Sequence, residues 1–271
     1  MIPSLYINLD QAVKRRKFIE SQGAKLGIDF IRVPAVQAAQ IPPDVLDIHR
    51  RGATRRRPLK ATEIACGLSH REAWRQACKL DSPFAAIFED DVHFSINTKA
   101  FLDHTDWIPE DADIVKIETY YFHLLLKRPF LKTVHGCELA RLNYTHLGTG
   151  GYLIRRSHAE RLLDATADFQ SPIDYEMFKR GRMALPQTVN YQLVPAICIQ
   201  ENRLLATPDY SQSADVEQTS IQPNGPNWNP RDTKNRPLRK RLLLKLFTAF
   251  DALQRFRTTL TGDFWGVVDF R

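Results

Sequence analysis

Five apolar residues, Phe84-Ala85-Ala86-Ile87-Phe88, run without a break and stop at three consecutive acids, Glu89, Asp90 and Asp91. A run of that length with no polar alternation predicts a strand buried on both faces, which an α/β sheet covered by helices provides. The segments around it agree. Ser4 to Leu9 reads as a short strand, Asp10 as the cap of a helix reaching Leu26, and Phe30 to Val33 as a second strand, a strand-helix-strand opening that favours parallel pairing. A helix is expected from Thr62 to Leu80, another from Asn97 to Trp107, and a buried strand from Ile114 to Ile117. Tyr120 to Leu142 reads as antiparallel. Gly151 to Ile154 follows as a strand, then a helix from Ser157 to Ala165 capped by Ser157, and a helix from Ile173 to Lys179 with Pro172 at its first position. Gln192 to Ile199 is the last strand, with Pro195 inside it.

The composition changes after Arg203. Thr207 to Pro237 is rich in Pro, Asn, Ser and Gln and reads as a linker or extended loop. The expected organisation is a catalytic-type domain over 1–206, a polar linker over 207–235 and a basic tail over 236–271. The chain has 271 residues and a net charge of +7, and Arg236 to Arg257 holds seven basic residues against one acid. Leu242, Leu246, Ala249, Leu253, Phe256 and Leu260 recur at spacings of three and four, so 236–260 reads as an amphipathic helix with a basic face. Such a helix lies on an anionic membrane surface or packs on its own domain. Arg50, Arg51, Arg55, Arg56, Arg57 and Lys60 form a second basic cluster, read as a solvated loop or a contact to phosphates.

Several classes are excluded. Apolar residues make up 43% and charged residues 25%, an ordinary globular balance. No apolar run approaches the length of about 18 residues that a membrane helix needs. The N-terminus lacks the pattern of a secretory signal, and Cys66, Cys78, Cys137 and Cys198 form no C-x-x-C pair, so scattered reduced thiols in a cytoplasmic protein are expected. Nucleic-acid-binding motifs, a Walker A loop, a dinucleotide fingerprint and a G-x-S-x-G elbow are all absent.

The acid triplet carries the chemistry. Ligands of open α/β sheets bind at the carboxyl ends of strands, where these acids stand. Three clustered carboxylates repel one another unless a cation neutralises them. Acids at i and i+2 of an extended chain point the same way, so Glu89 and Asp91 suit a hard divalent ion, Mn²⁺ or Mg²⁺, bridging to substrate phosphates. The alternative is an acidic turn that caps the next helix.

Five blocks in order carry a wider resemblance. They are Ile7-Asn8-Leu9-Asp10 with Arg15-Arg16; Glu63-Ile64-Ala65-Cys66-Gly67-Leu68-Ser69-His70 with Trp74; Ile87-Phe88-Glu89-Asp90-Asp91; Gly148-Thr149-Gly150-Gly151-Tyr152-Leu153-Ile154; and Pro172-Ile173-Asp174. Over roughly residues 3 to 205 the chain resembles glycosyltransferase family 25, the bacterial lipooligosaccharide galactosyltransferase group. The resemblance implies a GT-A-like nucleotide-sugar-binding fold with a mixed, mostly parallel sheet, a UDP-sugar donor (usually UDP-galactose), a divalent metal and inversion at the anomeric carbon. It implies Asp91 as the main metal ligand with Glu89 facing the ribose or a metal-bound water, and Asn8 with Arg15 or Arg16 near the nucleotide. Glu63 and Asp90 are added to the donor site; His70 either bonds the donor or is a satisfied half-buried histidine beside Trp74, and Gly150 and Gly151 either permit close approach to a sugar or form only a tight turn. Lys14, Thr62 and Ala65 depart from the family pattern, and the two glycines lost at 62 and 65 predict a somewhat different backbone near the donor.

An inverting transfer needs a base for the acceptor hydroxyl. Asp174 is the first candidate and Glu118, after the Ile114 strand, the second; their plain alternatives are helix-dipole compensation and an ordinary surface acid. Gln200, at the end of the last strand, is a further residue able to reach the site. The sequence thus predicts a hexosyltransferase acting on an oligosaccharide or lipid-linked glycan at the cytosolic membrane face. Its rivals are a transferase with another UDP-sugar and an inactive glycan- or lipid-binding module of the same fold.

Overall fold

A strict two-residue alternation organises the core. In the strand β3 (Phe84–Glu89), Phe84, Ala86 and Phe88 enter one apolar cluster, whereas Ala85 and Ile87 enter another on the opposite face. The structure is a computed structural model that describes residues 1–51, 58–143, 145–179, 181–205, 253, 258 and 261–271.

The opening unit is β1 (Ser4–Asn8), α1 (Val13–Leu26) and β2 (Phe30–Pro34), with β1 parallel to both β2 and β3. The first helix starts later than expected. Ala12 holds its N-cap position without a side-chain bond, and Asp10 instead accepts a hydrogen bond from Arg32 at 2.5 Å. A short helix α2 (Pro43–Ile48) precedes α3 (Ala61–Lys79). After β3 come β4 (Val92–Phe94), α4 (Thr98–Asp103), β5 (Ile114–Lys116) and β6 (Glu118–Thr119). The α4 helix stops at Asp103 rather than Trp107. A long hairpin comes next, β7 (His123–Val134) with β8 (Cys137–Leu142), then β9 (Gly151–Arg155), α5 (Arg156–Ala165) and α6 (Ile173–Phe178). Ser157 lies inside α5 rather than capping it; Arg155 occupies the N-cap position.

The expected final strand is two. β10 (Asn190–Val194) and β11 (Cys198–Gln200) belong to different sheets, and the break falls at Pro195, which has no N–H to give to a ladder. A short helix α7 (Glu201–Leu204) comes after β11, and β12 (Phe264–Val267) closes the chain.

The large sheet has the order β12-β7-β8-β10-β5-β9-β3-β1-β2. It is mixed, as expected, but not mostly parallel: β1–β2, β1–β3 and β5–β10 are parallel, and the other five neighbouring pairs are antiparallel. The reason is β9, which enters antiparallel between β3 and β5, and the hairpin that extends the sheet beyond β10. One face is covered by α3, α5 and α6, through Trp74, Ala77, Leu162 and Phe178; the other is covered by α1 and α4, through Ile19, Phe101 and Leu102. Each of the Leu, Ile and Phe side chains among these contributes about 1.5–3 kcal/mol on removal from water.

A second sheet of three short strands, β4-β11-β6, sits where β3 and β5 leave the first. It brings the segment after the acid triplet beside Glu118 and Gln200. The linker over 207–235 and nearly all of the expected amphipathic helix lie outside the described residues. The end of the chain was not foreseen: β12 pairs antiparallel with β7, and the Thr119 hydroxyl donates to the Val268 carbonyl. Among the described residues, no helix is long and apolar enough to cross a membrane.

Candidate active site

The three acids leave β3 in three directions. Asp90 turns toward the end of β1, where Asn8 Nδ2 donates to it at 2.6 Å and Arg15 Nη1 lies 2.8 Å away. Asn8 is itself buried, and its Oδ1 accepts from Arg32 Nε at 3.1 Å, so its amide is oriented from both sides. Burial pushes the Asp90 carboxyl up, against the opposing pull of Arg15 and Asn8.

Glu89 ends the strand on the α3 side. Thr149 Oγ1 donates to it at 2.6 Å and Gln200 Nε2 at 2.9 Å, while His70 Nε2 lies 3.4 Å away. Burial alone would push this carboxyl up, but His70, Thr149 and Lys116 outweigh it and hold it below its usual range. His70 is fully enclosed, with Nδ1 3.0 Å from the Tyr152 hydroxyl, which also receives the Trp74 Nε1–H at 2.9 Å. Nε2 of the same ring faces Glu89.

Asp91 turns to the small sheet. It is buried, and Gln200 Nε2 lies 3.4 Å from its Oδ1, so one amide nitrogen stands between Glu89 and Asp91. Burial, then the charges of Glu89 and Asp90, push its carboxyl up to about 7. A buried, crowded pair of carboxylates with oxygen donors fits a hard divalent cation. Cys66, His70 and Glu89 also have potential ligand atoms within 4.8 Å of one another, but their thiol and imidazole form a softer set than the Glu89–Asp91 pair expected from the sequence.

A cleft of about 380 Å³ opens beside Glu89 and Asp90, and Asp91 is not on its wall. Its walls are the end of β1, the 35–39 segment after β2 and the first half of α3; Arg15, His70, Glu89 and Asp90 line it, with Ile7, Val36, Ala65 and Cys66 supplying apolar surface. A mostly apolar cavity with a few polar groups gathered at one end suits a small organic ligand carrying charge.

The other expected residues fall elsewhere. Glu63 caps α3, accepting from the Lys60 N–H at 2.8 Å, and does not line the cleft. Arg16 is not on the cleft wall either; its charge acts on Tyr6. Asp174 accepts the Gly148 N–H at 3.3 Å, and burial pushes its carboxyl up. Glu118 is no surface acid. It is fully enclosed and ion-paired with the equally enclosed Lys116, and burial pushes it up to about 7 against that lysine's pull. Gly150 and Gly151 make room for protein rather than leaving open space: a Cβ would stand 2.4 Å from Glu118 Oε2 at position 150 and 2.2 Å from Cys198 Sγ at 151. Lys116, whose Nζ also donates to the Gly148 carbonyl at 2.8 Å, was missed. Its signal was a lysine inside the apolar run Ile114-Val115-Lys116-Ile117.

Residues 1–177 match the model of Glycosyltransferase family 25 (LPS biosynthesis protein). The chain belongs to this family. As a family 25 member it is a glycosyltransferase. The lacto-N-neotetraose biosynthesis glycosyltransferase LgtB of Neisseria meningitidis serogroup A / serotype 4A is 31% identical over 208 residues, spanning 72% of this chain and 73% of its own. The lipooligosaccharide biosynthesis protein lic2B of Haemophilus influenzae is 27% identical over 213 residues, spanning 73% and 76%. Among solved structures, a glycosyltransferase involved in glycosylation of the major capsid of PBCV-1 aligns over 74% of this chain and 94% of its own, at 11% identity and a TM-score of 0.39.

Proposed function

We propose that this family 25 enzyme moves a hexose, galactose first, from a UDP-sugar to a glycan acceptor in lipooligosaccharide biosynthesis, with inversion and a divalent metal, on a GT-A arrangement. The observation that carries the reading is the cleft that ends at Glu89 and Asp90 with Arg15 on its wall. The names of the Neisseria and Haemophilus relatives support the pathway.

The nucleotide occupies the apolar cleft, and Arg15 offers its charge to the diphosphate. Asn8 acts behind Asp90, fixing its direction through the 2.6 Å bond. Glu89 and Asp91 are the residues that would hold Mn²⁺ or Mg²⁺, whose chemistry is to neutralise charge on the departing diphosphate. Asp174 is the first candidate to take the acceptor hydroxyl proton, since burial already raises its affinity for one. Glu118 is enclosed with Lys116 and acts better as the support of the Gly148–Gly150 turn.

The deciding experiment is a thermal-shift panel of UDP-sugars with and without Mn²⁺, on the wild type and Asp91→Ala. One sugar nucleotide that raises the melting temperature only with metal, and not in the variant, supports the reading. Absence of binding by every UDP-sugar under every metal condition overturns it.

We further propose that the basic stretch over 236–260 holds the enzyme on the anionic cytosolic membrane face. Because β12 pairs with β7, truncation before the tail would also remove a sheet strand. Replacing Lys240, Arg241 and Lys245 by Gln is the cleaner test. Weaker sedimentation with anionic vesicles is expected, and unchanged binding overturns the proposal.

A further inference from the structure

Two parallel strands of the small sheet end side by side, with Glu118 opposite Cys198 and Thr119 opposite Ile199. The segments leaving these strands therefore emerge at one place: Tyr120 to Phe122 after β6, and the helix α7 after β11. The same edge holds Asp91, whose carbonyl accepts the Glu201 N–H at 2.8 Å. Carboxyl ends of parallel strands are where α/β folds collect their ligands.

The group gathered there is aromatic. The Tyr120 and Phe122 rings have centroids 5.1 Å apart at 50°, and the Arg203 guanidinium lies 3.5 Å over the Tyr120 ring and 5.8 Å from that of Phe122. Arg203 Nε has no hydrogen-bond partner among the described residues, so the rings, rather than a bond to Nε, locate this side chain. Tyr121 between the two rings has φ +51°, a left-handed conformation that a bulky residue adopts at a steric cost. Phe122 is 50% exposed, so half of its surface is open to a ligand.

The platform adjoins the machinery already described. A methyl group on Gly148 would stand 2.9 Å from the Tyr120 ring, and the Gly148 N–H is the one bound by Asp174. Thr149, next in the chain, bonds Glu89 on the donor side. The Gly148–Thr149 turn thus separates the aromatic group from the donor cleft.

We propose that Phe122, backed by Tyr120 and Arg203, is the acceptor subsite, and that it takes a pyranose ring of the acceptor glycan. One face of a β-linked pyranose is a patch of axial C–H groups that packs on an aromatic ring, while its hydroxyls remain outward to meet polar groups. A sugar seated on Phe122 lies near Gly148, which the Tyr120 ring abuts and whose N–H is held by Asp174. The inference rests on the transferase reading and adds to it which residues choose the acceptor.

The test uses the full chain with UDP present. Saturation-transfer NMR is recorded with methyl β-galactoside, methyl β-glucoside and methyl N-acetyl-β-glucosaminide on the wild type, Phe122→Ala and Phe122→Trp, alongside UDP-sugar calorimetry. Expected is a ring C–H signal from at least one glycoside that falls at least fivefold in Phe122→Ala and returns in Phe122→Trp, with UDP-sugar Kd changed less than twofold. No glycoside signal from the wild type, or an equal signal from Phe122→Ala, overturns the subsite. Sedimentation showing that Phe122→Ala converts a dimer to a monomer overturns it too, and assigns the ring to self-association. Failure of UDP-sugar binding with a Phe122-dependent glycoside signal leaves the sugar site standing and removes the UDP-sugar donor reading instead.

Discussion

The Nδ1 of His70 lies 3.0 Å from the hydroxyl of Tyr152, and both side chains are enclosed. Trp74 on one side and Glu89 on the other extend this contact into a line from the core to the cleft. Replacing Tyr152 by Phe leaves the indole N–H and Nδ1 without partners, at about 1–3 kcal/mol for each buried group so stranded. The variant should unfold at lower urea and bind UDP-sugar more weakly, because Glu89 loses an oriented neighbour. Unchanged donor Kd in a folded variant would show that the line is structural alone.

Lys116 and Glu118 form an enclosed ion pair whose lysine also sits 4.6 Å over the Phe178 ring. Lys116→Met should destabilise the protein by about 3–5 kcal/mol, since it leaves a buried carboxylate uncompensated. Lys116→Met with Glu118→Gln should recover much of that loss. Urea unfolding of both variants checks this, and equal stability of the single and double variants would contradict it.

The acid cluster gives a signed pH dependence. The folded-state pKa of Asp91 is raised to about 7 from its ordinary 3.8. Between those values the native state binds more protons than the unfolded chain, so this group's contribution makes stability fall as pH rises through that window. Asp91→Asn should therefore flatten the decline of Tm between about pH 4 and 7 relative to wild type. Adding Mn²⁺ should stabilise the wild type more at pH 8, where the carboxylate is ionised, than at pH 5. Parallel Tm–pH curves for wild type and Asp91→Asn would refute the assignment.

Two glycines separate packing from backbone freedom. At Gly150 a Cβ would lie 2.4 Å from Glu118 Oε2 and 2.7 Å from Gln200 Cγ, whereas at Gly136, with φ +78°, it would meet nothing within 4 Å. Gly150→Ala should cost about 1–3 kcal/mol by overpacking and should also lower turnover through Gln200 and Glu89. Gly136→Ala should cost about 1–2 kcal/mol through its left-handed backbone, with kinetics unchanged. Steady-state assays and thermal unfolding distinguish them.

What was legible in the chain was local. The apolar run ending in acids located β3 and its carboxyl end, and the strand-helix-strand opening predicted β1, α1 and β2. Five short blocks in order pointed to the family that the comparison establishes. These are patterns that neighbouring residues carry by themselves, through alternation, chain direction and residue type.

Partners were another matter. Asn8 meets Asp90 across 82 positions, and Gln200 meets Glu89 across 111. No local pattern encodes such contacts; they exist because β1, β3 and β11 converge at one edge. The same convergence separated the acids into three environments, put Glu63 at a helix cap instead of the cleft, and enclosed Glu118 with Lys116. Other long-range pairings set β9 antiparallel between β3 and β5 and added β12 at the far edge. The sequence by itself determined which residues would carry charge at the end of a buried strand. Only the tertiary structure decided what each charge faces, because burial and pairing depend on residues far along the chain.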